Sequence, residues 1–172
     1  RGERVAQRRI GVGAVDVLEG PPAHRHLEQQ PHQREVIAQV RPSLLQFHGT
    51  ESDAWCAQFG LPWMKAIAMG EGVAALPRLA AYPHAAALLL DGHATGEAGG
   101  SGRSFDWTLL PHGLVQPLVV AGGLHAGNVG TVVRAARPWA VDVASGVESA
   151  PGVKDAAKLA DFIAAVRAAD TF

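Results

Sequence analysis

The stretch of sequence that decides the fold covers residues 118–146 and reads LVVAGGLHAGNVGTVVRAARPWAVDVASG. It contains two short apolar runs, residues 118–121 and residues 140–144, which predict two buried strands. Between them, residues 128–137 repeat apolar side chains at helical spacing, which predicts a helix with one buried face. A strand, a helix and a second strand in that order predict parallel strands joined by a right-handed crossover.

The same alternation extends from this stretch toward both ends of the chain. Further strands are predicted at residues 44–48, 63–69 and 86–91, and further helices at residues 34–40, 50–59, 72–81 and 155–169. The strands are nearly continuous apolar runs, which is typical of a sheet whose two faces are both covered. The chain is therefore predicted to be an α/β protein built on one parallel sheet.

Two folds share this alternation, a closed barrel and an open doubly wound sheet. No Gly-x-Gly-x-x-Gly motif follows the first strand, which disfavours a dinucleotide-binding fold. Instead, Gly122-Gly123 and Ser145-Gly146 follow the last two strands, where a (β/α)8 barrel builds its phosphate site. The loops thus favour the barrel.

Composition and charge exclude several classes of function. The 172 residues are 48% hydrophobic and carry a net charge of -1, which argues against a general nucleic-acid or acidic-membrane binder. No apolar run approaches the length of a membrane helix. The single cysteine, Cys56, excludes an internal disulfide framework and fits the reducing cytoplasm.

Residues 1–33 differ in composition from the rest of the chain. Residues 1–34 hold six arginines and no lysine, and no aromatic residue precedes Phe47. The histidines of this segment lack the spacing and the cysteines of a zinc site, so no metal is expected. We expect a poorly packed segment in which residues 10–18 are the one candidate strand.

Six short segments match one known family in order and spacing. They are LLQFHG (44–49), LLLD (88–91), GGSGRSFDW (99–107), AGGL (121–124), VDVASGVE (141–148) and PGVKD (151–155). From about Arg34 to Asp170 the chain resembles phosphoribosylanthranilate isomerase of tryptophan biosynthesis. The resemblance implies a (β/α)8 TIM barrel of the ribulose-phosphate-binding type. It further implies a monomer or homodimer that acts on a phosphorylated small molecule without a metal or organic cofactor.

The implied reaction is an Amadori rearrangement of N-(5'-phosphoribosyl)anthranilate to 1-(2-carboxyphenylamino)-1-deoxyribulose 5-phosphate. A general acid protonates the ribose ring oxygen and opens the ring to a Schiff base. A general base then removes the C2' proton, and the enolamine tautomerises to the ketone.

Asp91 is the candidate for the general acid. It is a lone carboxyl at the end of an apolar strand and beside a glycine-rich loop, where barrel enzymes place their chemistry. Such an acid needs a raised pKa to work near neutral pH. An isolated aspartate after a strand more often caps the next loop, but the resemblance assigns Asp91 to the acid.

The substrate phosphate has four candidate ligands, Gly122, Gly123, Ser145 and Gly146, because glycines let backbone N–H groups approach an anion. The alternative is that these are only tight barrel turns. Asp142, by its place in the family motif, would orient the anthranilate amine. A carboxylate that only bonds to backbone is almost equally consistent with the sequence.

Three further features stay open from sequence alone. Gln46 and His48 either line the floor of the site or fill the barrel. The loop of residues 99–102, with Arg103, either covers the substrate or is a surface loop.

The chain departs from the family in its N-terminal part. The family's catalytic base is a cysteine in a Lys-x-Cys-Gly motif, and this motif is absent. Cys56 lies in a predicted helix, so the base role cannot be transferred to it, and we interpret it as a packed residue. The arginine motif of the family's second strand is absent as well.

About three of eight barrel strands should precede Arg34, and residues 10–18 supply at most one. Either the chain, which begins at Arg1, is a truncated fragment, or residues 1–33 are read in a shifted frame. Residues 34–172 are then the C-terminal portion of a single, N-terminally incomplete barrel.

Two other functions compete with the isomerase. One is a catalytically inactive, phosphate-binding barrel remnant. The other is a sibling enzyme such as indole-3-glycerol-phosphate synthase, which uses lysine and glutamate at strand ends. Lys65 is the one lysine that fits such a place.

Overall fold

The computed structural model describes residues 9–12, 26–92, 106–107, 110–111 and 113–170. The strands are β1 (Arg9–Val12), β2 (Leu45–Phe47), β3 (Trp63–Ala68), β4 (Ala87–Asp91), β5 (Leu118–Val120), β6 (Ala140–Val143), β7 (Glu148–Ala150) and β8 (Val153–Lys154). The α-helices are α1 (His26–Val40), α2 (Asp53–Ala57), α3 (Val129–Ala136) and α4 (Ala156–Ala169). Two 3-10 helices cover Gly72–Ala81 and Ser145–Val147.

Six strands form one sheet in the order β1-β6-β5-β4-β3-β2, and every pair in it is parallel. The five strands predicted from residue 44 onward are thereby confirmed. Strand β1 lies beside β6, with Arg9 opposite Ala140, so the first described strand pairs with the last strand of the sheet. This is the connectivity of a (β/α)8 barrel, of which the described residues supply six strands.

The two faces of the sheet have different surroundings. On one face, side chains such as Phe47, Leu88 and Val120 pack with Val132 of α3 and Phe162 of α4 in the main core. The other face carries mostly small or unbranched residues, which form a second cluster: Met64, Ala66, Ala87, Leu89, Val119, Ala121 and Ala140. Because alternate residues of a strand face opposite ways, this second face is the interior of the incomplete barrel.

Helix α1 extends further toward the N-terminus than predicted. The sequence predicts a helix from residue 34 and an irregular lead-in before it, whereas α1 begins at His26. Its first turns contain Leu27, Glu28 and Gln29, which are good helix formers. Gln33, predicted to be in the lead-in, is buried at 4% exposure, so the poorly packed segment does not extend to residue 33.

Two predicted helices differ from their expected form. Residues 72–81 form a 3-10 helix with Pro77 inside it. A proline inside an α-helix disfavours that conformation because its ring clashes with the carbonyl of residue i−4. The helix predicted at residues 50–59 shortens to α2, where the Ser52 hydroxyl caps the Trp55 N–H at 3.3 Å. The residue expected to end it, Gly60, has a φ of +68°, as a left-handed helix terminus requires.

Strands β7 and β8 form an antiparallel hairpin that the sequence did not predict. It follows the 3-10 turn at Ser145–Val147 and leads into α4. Among the helices described, none is both long enough and apolar enough to cross a membrane.

Candidate active site

Asp91 is the last residue of β4 and is partly buried. Its neighbour Leu90 faces the helices in the main core, so Asp91 faces the barrel interior. The Asp91 carbonyl accepts a hydrogen bond from the N–H of Met69 at 2.8 Å, which fixes the backbone at the carboxyl end of β3 and β4. The candidate acid therefore lies on the predicted edge and on the inner face.

The turn after β5 is formed by Gly122 and Gly123, whose φ angles are +85° and +62°. Gly122 lies directly against β4, since a Cβ placed on it would be 2.8 Å from Asp91 Oδ1 and inside contact distance of the Gly92 nitrogen. Only glycine satisfies both the backbone angle and the space. The candidate acid and the first glycine turn are thus in contact.

Asn128 holds the end of this turn, a role that the sequence analysis missed. Its side-chain Nδ2 donates to the Gly123 carbonyl at 2.8 Å, and its Oδ1 accepts from the N–H of His125 at 2.8 Å. An asparagine just before a helix is a signal for such a local hydrogen-bonded turn. The peptide groups of residues 123–125 are therefore fixed in direction.

The second candidate turn, after β6, contacts the first. A Cβ on Gly146 would overlap the carbonyl oxygen of Leu124 and lie 3.1 Å from the Cβ of His125. Gly146 is therefore required for close packing of the two turns. The structure brings the Gly122-Gly123 and Ser145-Gly146 segments together, as a shared site for one anion would require.

Asp142 lies in β6 between Val141 and Val143, which face the helices, so it faces the barrel interior. Burial raises the pKa of its carboxyl, and the nearby Asp91 carboxylate raises it further. A hydrogen bond from the Val143 N–H and the charge of Lys154 act in the opposite direction. Asp91 and Asp142 thus share the inner face beside the glycine turns, where the Asp91 charge raises the pKa of Asp142.

Comparison with known proteins shows the family to which the chain belongs. Residues 30–165 match the sequence model of the family described as N-(5'phosphoribosyl)anthranilate (PRA) isomerase. That is well over half of the chain. The chain belongs to the N-(5'-phosphoribosyl)anthranilate isomerase family. A relative of that name from Xanthomonas oryzae is 50% identical over 143 residues, which is 80% of this chain and 64% of the relative.

Solved structures of the family share the fold. The phosphoribosylanthranilate isomerase of Thermotoga maritima superposes with a TM-score of 0.71 at 32% identity, covering 94% of this chain and 73% of that one. A family member solved in complex with reduced 1-(o-carboxyphenylamino)-1-deoxyribulose 5-phosphate has a TM-score of 0.67 at 26% identity, over 94% and 72% of the two chains. The incomplete (β/α)8 barrel predicted from the sequence is thus confirmed. The chain spans about 64% of the length of the curated relatives that it matches.

Gln46 and His48, the residues left open by the family resemblance, are at the edge strand β2. Gln46 lies between two residues of the helix-facing core, Leu45 and Phe47, so it faces the barrel interior. It is 9% exposed, and its Oε1 has no hydrogen-bond partner among the described residues. His48 follows the strand and is partly buried.

Lys65 does not take the strand-end position that a sibling enzyme's lysine would need. It points to the helix side of β3, with 1% exposure. Its Nζ donates to Glu51 Oε2 at 2.9 Å, to the Gly49 carbonyl at 2.7 Å and to the Phe47 carbonyl at 3.3 Å. An ammonium has three N–H donors, and these acceptors use all of them. The lysine is therefore unavailable to the inner face of the barrel.

Cys56 is a buried, free thiol in α2, as its sequence position predicts. Burial, reinforced by the negative charge of Glu51, raises the pKa of its thiol to about 12. The residue is therefore protonated and inert near neutral pH. It cannot serve as a base.

The glycine-rich loop and a metal site are two further features considered in the sequence. The loop of residues 99–102 and Arg103 lie outside the described residues. Within the described ranges, the His, Cys, Asp and Glu side chains form no group of three or more that could hold a metal ion.

Proposed function

We propose that this protein is an isomerase that converts N-(5'-phosphoribosyl)anthranilate to 1-(2-carboxyphenylamino)-1-deoxyribulose 5-phosphate in tryptophan biosynthesis. One observation carries the proposal. Asp91 contacts the Gly122 turn, and that turn contacts the Gly146 turn, on the carboxyl edge of a family barrel. A carboxyl and two glycine turns are thereby within reach of one small phosphorylated molecule.

Asp91 is assigned the general acid. It donates its proton to the ribose ring oxygen, the C1'–O bond breaks, and the nitrogen lone pair forms the Schiff base. Its place beside Gly122 puts the carboxyl next to the proposed phosphate turn, so one bound substrate can contact both.

Asp142 is assigned to the substrate amine. Its carboxyl faces the same interior as Asp91, and burial raises its pKa. A carboxyl with a raised pKa keeps its proton to higher pH and can donate a hydrogen bond there. Asp142 can therefore orient the amine in either protonation state.

The phosphate is assigned to the backbone N–H groups of Gly122, Gly123, Ser145 and Gly146. Glycine exposes these groups because no Cβ shields them. The contact between the two turns lets N–H groups from both converge on one anion.

The general base is not supplied by the family's cysteine motif, because this sequence does not contain that motif. The sequence has no Lys-x-Cys-Gly, and Cys56 is a buried, protonated thiol. A positioned base contributes about 10²- to 10⁴-fold. We therefore expect little or no turnover by the 172-residue chain itself.

Complementation of a tryptophan auxotroph that lacks this isomerase tests the function, with the full gene as the insert. Growth supports the isomerase, and Asp91→Asn in the complementing gene should abolish growth while leaving the protein level unchanged. Failure of the full gene to support growth, at a normal protein level, would overturn the proposal.

A phosphate-binding remnant without activity is the second candidate, favoured by the missing cysteine motif. In that case the purified chain binds inorganic phosphate, the full gene does not complement, and Asp91→Asn changes nothing. Normal turnover by the purified chain would instead exclude the remnant and show that another residue acts as the base.

The same proposal includes a cellular setting. The protein works in the cytoplasm on a small phosphorylated substrate, as a monomer or homodimer and without nucleic acid or membrane. Its single cysteine, Cys56, is a buried free thiol, which fits a reducing compartment. Sedimentation of the full-length protein distinguishes the monomer from the dimer.

A further inference from the structure

The hairpin formed by β7 and β8 (residues 148–154) is connected to the turn before it by a lysine. Lys154, in β8, donates from its Nζ to the Ala144 carbonyl at 3.0 Å and to Glu148 Oε1 at 2.7 Å. Ala144 is the residue directly before the Ser145–Val147 turn, and Glu148 is the residue directly after it. One ammonium group therefore joins the two ends of this turn.

Other hydrogen bonds hold the same two ends. Lys158 of α4 donates to the Glu148 carbonyl at 2.7 Å, and the Gly152 N–H donates to Glu148 Oε2 at 3.2 Å. The N–H of Asp155 donates to the Val147 carbonyl at 2.8 Å. Glu148 is thus held by two donors, Lys158 and Gly152, and it in turn holds the Lys154 ammonium in place.

Lys154 also influences the inner face of the barrel. Asp142, two residues before Ala144, feels the positive charge of Lys154 and the negative charge of Asp91. The other charged groups on the hairpin side are Glu148, Asp155 and Lys158. The Lys158 ammonium donates to the Glu148 carbonyl, and the Asp155 carboxylate accepts from the Lys158 backbone N–H. Lys154 is about one-third exposed, so it lies between the solvent and this interior.

We propose that Lys154, held by Glu148, is a positioning residue that fixes the Ser145–Val147 turn in the geometry that binds a phosphate. This inference rests on the proposed function, which places the substrate phosphate at that turn. A lysine that bridges the ends of a turn reduces the number of conformations that its peptide groups can adopt. The N–H groups of Ser145 and Gly146 are then directed before the anion arrives.

Glu148→Gln separates this role from simple charge attraction. The variant removes a negative charge near the anion, so attraction alone predicts tighter phosphate binding. Positioning predicts the reverse, because the amide holds the ammonium less well and the turn loosens. The direction of the change therefore identifies the mechanism.

The experiment titrates the ¹⁵N-labelled full chain with inorganic phosphate and follows the amide signals of Ser145 and Gly146. Lys154→Met should weaken binding about tenfold, the order expected for a lost charge-assisted hydrogen bond. Lys154→Arg should restore binding to within about twofold of the parent, because the guanidinium keeps the charge and the donors. Arg78→Met is the matched control, since Arg78 pairs with Glu71 on the surface and its loss should leave phosphate binding unchanged.

A second measurement follows the side-chain carboxyl of Asp142 by ¹³C NMR over a pH titration. The midpoint should rise in Lys154→Met and in Glu148→Gln, and it should return toward the parent value in Lys154→Arg. A lysine that acted through its charge alone would raise the midpoint in Lys154→Met, but the loss of the Glu148 negative charge would then lower it in Glu148→Gln.

Three results would overturn the inference. Unchanged phosphate affinity in Lys154→Met, tighter binding in Glu148→Gln, or an Asp142 midpoint that does not rise in Glu148→Gln would each do so. If the parent chain binds no phosphate, the proposed function fails at this turn, and the direction of the Asp142 midpoint shift in Glu148→Gln decides whether Glu148 positions Lys154. If Lys154→Met does not fold, Glu148→Gln and Lys154→Arg carry the same comparison.

Discussion

The loop after β2 and the turn after β6 are each held by a lysine–glutamate ion pair, which is buried in the loop and partly exposed in the turn. In each, a lysine donates to the carbonyl of a residue just beyond a strand and to a nearby glutamate: Lys65 with Gly49 and Glu51, and Lys154 with Ala144 and Glu148. The first pair is 1% and 0% exposed, and the second is 33% and 16% exposed.

The difference in exposure determines what each pair can do. A buried pair cannot lose one partner without leaving a charge in a poor dielectric, so its main contribution is to the integrity of the loop. An exposed pair is screened by solvent and contributes little to stability. Its effect should therefore be visible in ligand binding rather than in unfolding.

The largest expected effect is at the buried pair. Lys65→Met leaves Glu51 charged and buried, and it should lower the free energy of unfolding by about 3–5 kcal/mol. Urea denaturation monitored by tryptophan fluorescence measures this loss. The double variant Lys65→Met/Glu51→Gln should recover a large part of it, because no uncompensated charge remains. Equal losses in the single and double variants would show that packing, rather than charge, sets the cost.

A smaller effect is expected at the turn after β6. Gly146→Ala places a methyl group against the Leu124 carbonyl, and it should cost about 1–3 kcal/mol of stability and abolish phosphate binding. Gly152→Ala is the control, since its φ is +77° but nothing lies within 4 Å of the new Cβ. It should cost about 1–2 kcal/mol through backbone strain and leave phosphate binding intact. Loss of binding in both variants would indicate a general effect on the hairpin.

The inner carboxyl beside this turn has a stability effect that depends on pH. Because the pKa of Asp142 is raised from 3.8, the folded state holds the proton more tightly than the unfolded state does. The contribution of Asp142 to the free energy of unfolding is fully present below pH 3.8, and it is lost as the pH rises through the raised pKa. Asp142→Asn should therefore match the parent in stability below pH 3.8 and exceed it at neutral pH. Denaturation curves at several pH values check this, and a parent that is the more stable at pH 7 would contradict it.

The smallest expected effect on stability is at the exposed pair. Lys154→Met should shift the melting temperature no more than the surface control Arg78→Met does, because both remove one partner of a partly solvated ion pair. Scanning calorimetry of the two variants side by side gives the comparison. A much larger shift for Lys154→Met would show that the Lys154–Glu148 pair stabilises the fold as the buried Lys65–Glu51 pair does.

The sequence predicted those parts of the fold that rest on local patterns. Every side chain in the run Leu88–Leu90 is apolar, and both faces of the sheet are packed at this run. The sequence therefore predicted β4 and its parallel partners directly. The glycines of the two turns were likewise visible, because their backbone angles and close contacts admit no other residue.

The parts that sequence did not predict depend on contacts between distant residues. Nothing local indicates that Lys65 of β3 bonds to Glu51 in the loop after the neighbouring strand β2, and an isolated lysine in a strand suggests a catalytic group equally well. The hairpin at residues 148–154 was missed because β7 and β8 are short and exposed. In residues 72–81 the apolar spacing predicted an α-helix, while Pro77 made it a 3-10 helix.

The pairing of β1 with β6 has a consequence for the order in which the protein folds. Strands β2 to β5 each pair with a neighbour that the ribosome has only just produced, so they can add to the sheet one after another. In the described sheet, Arg9 must wait for its partner Ala140 until nearly the whole chain has emerged. Contacts of such long sequence separation form late and slowly. During synthesis β1 should therefore stay accessible to proteases and chaperones after β2 to β5 have paired.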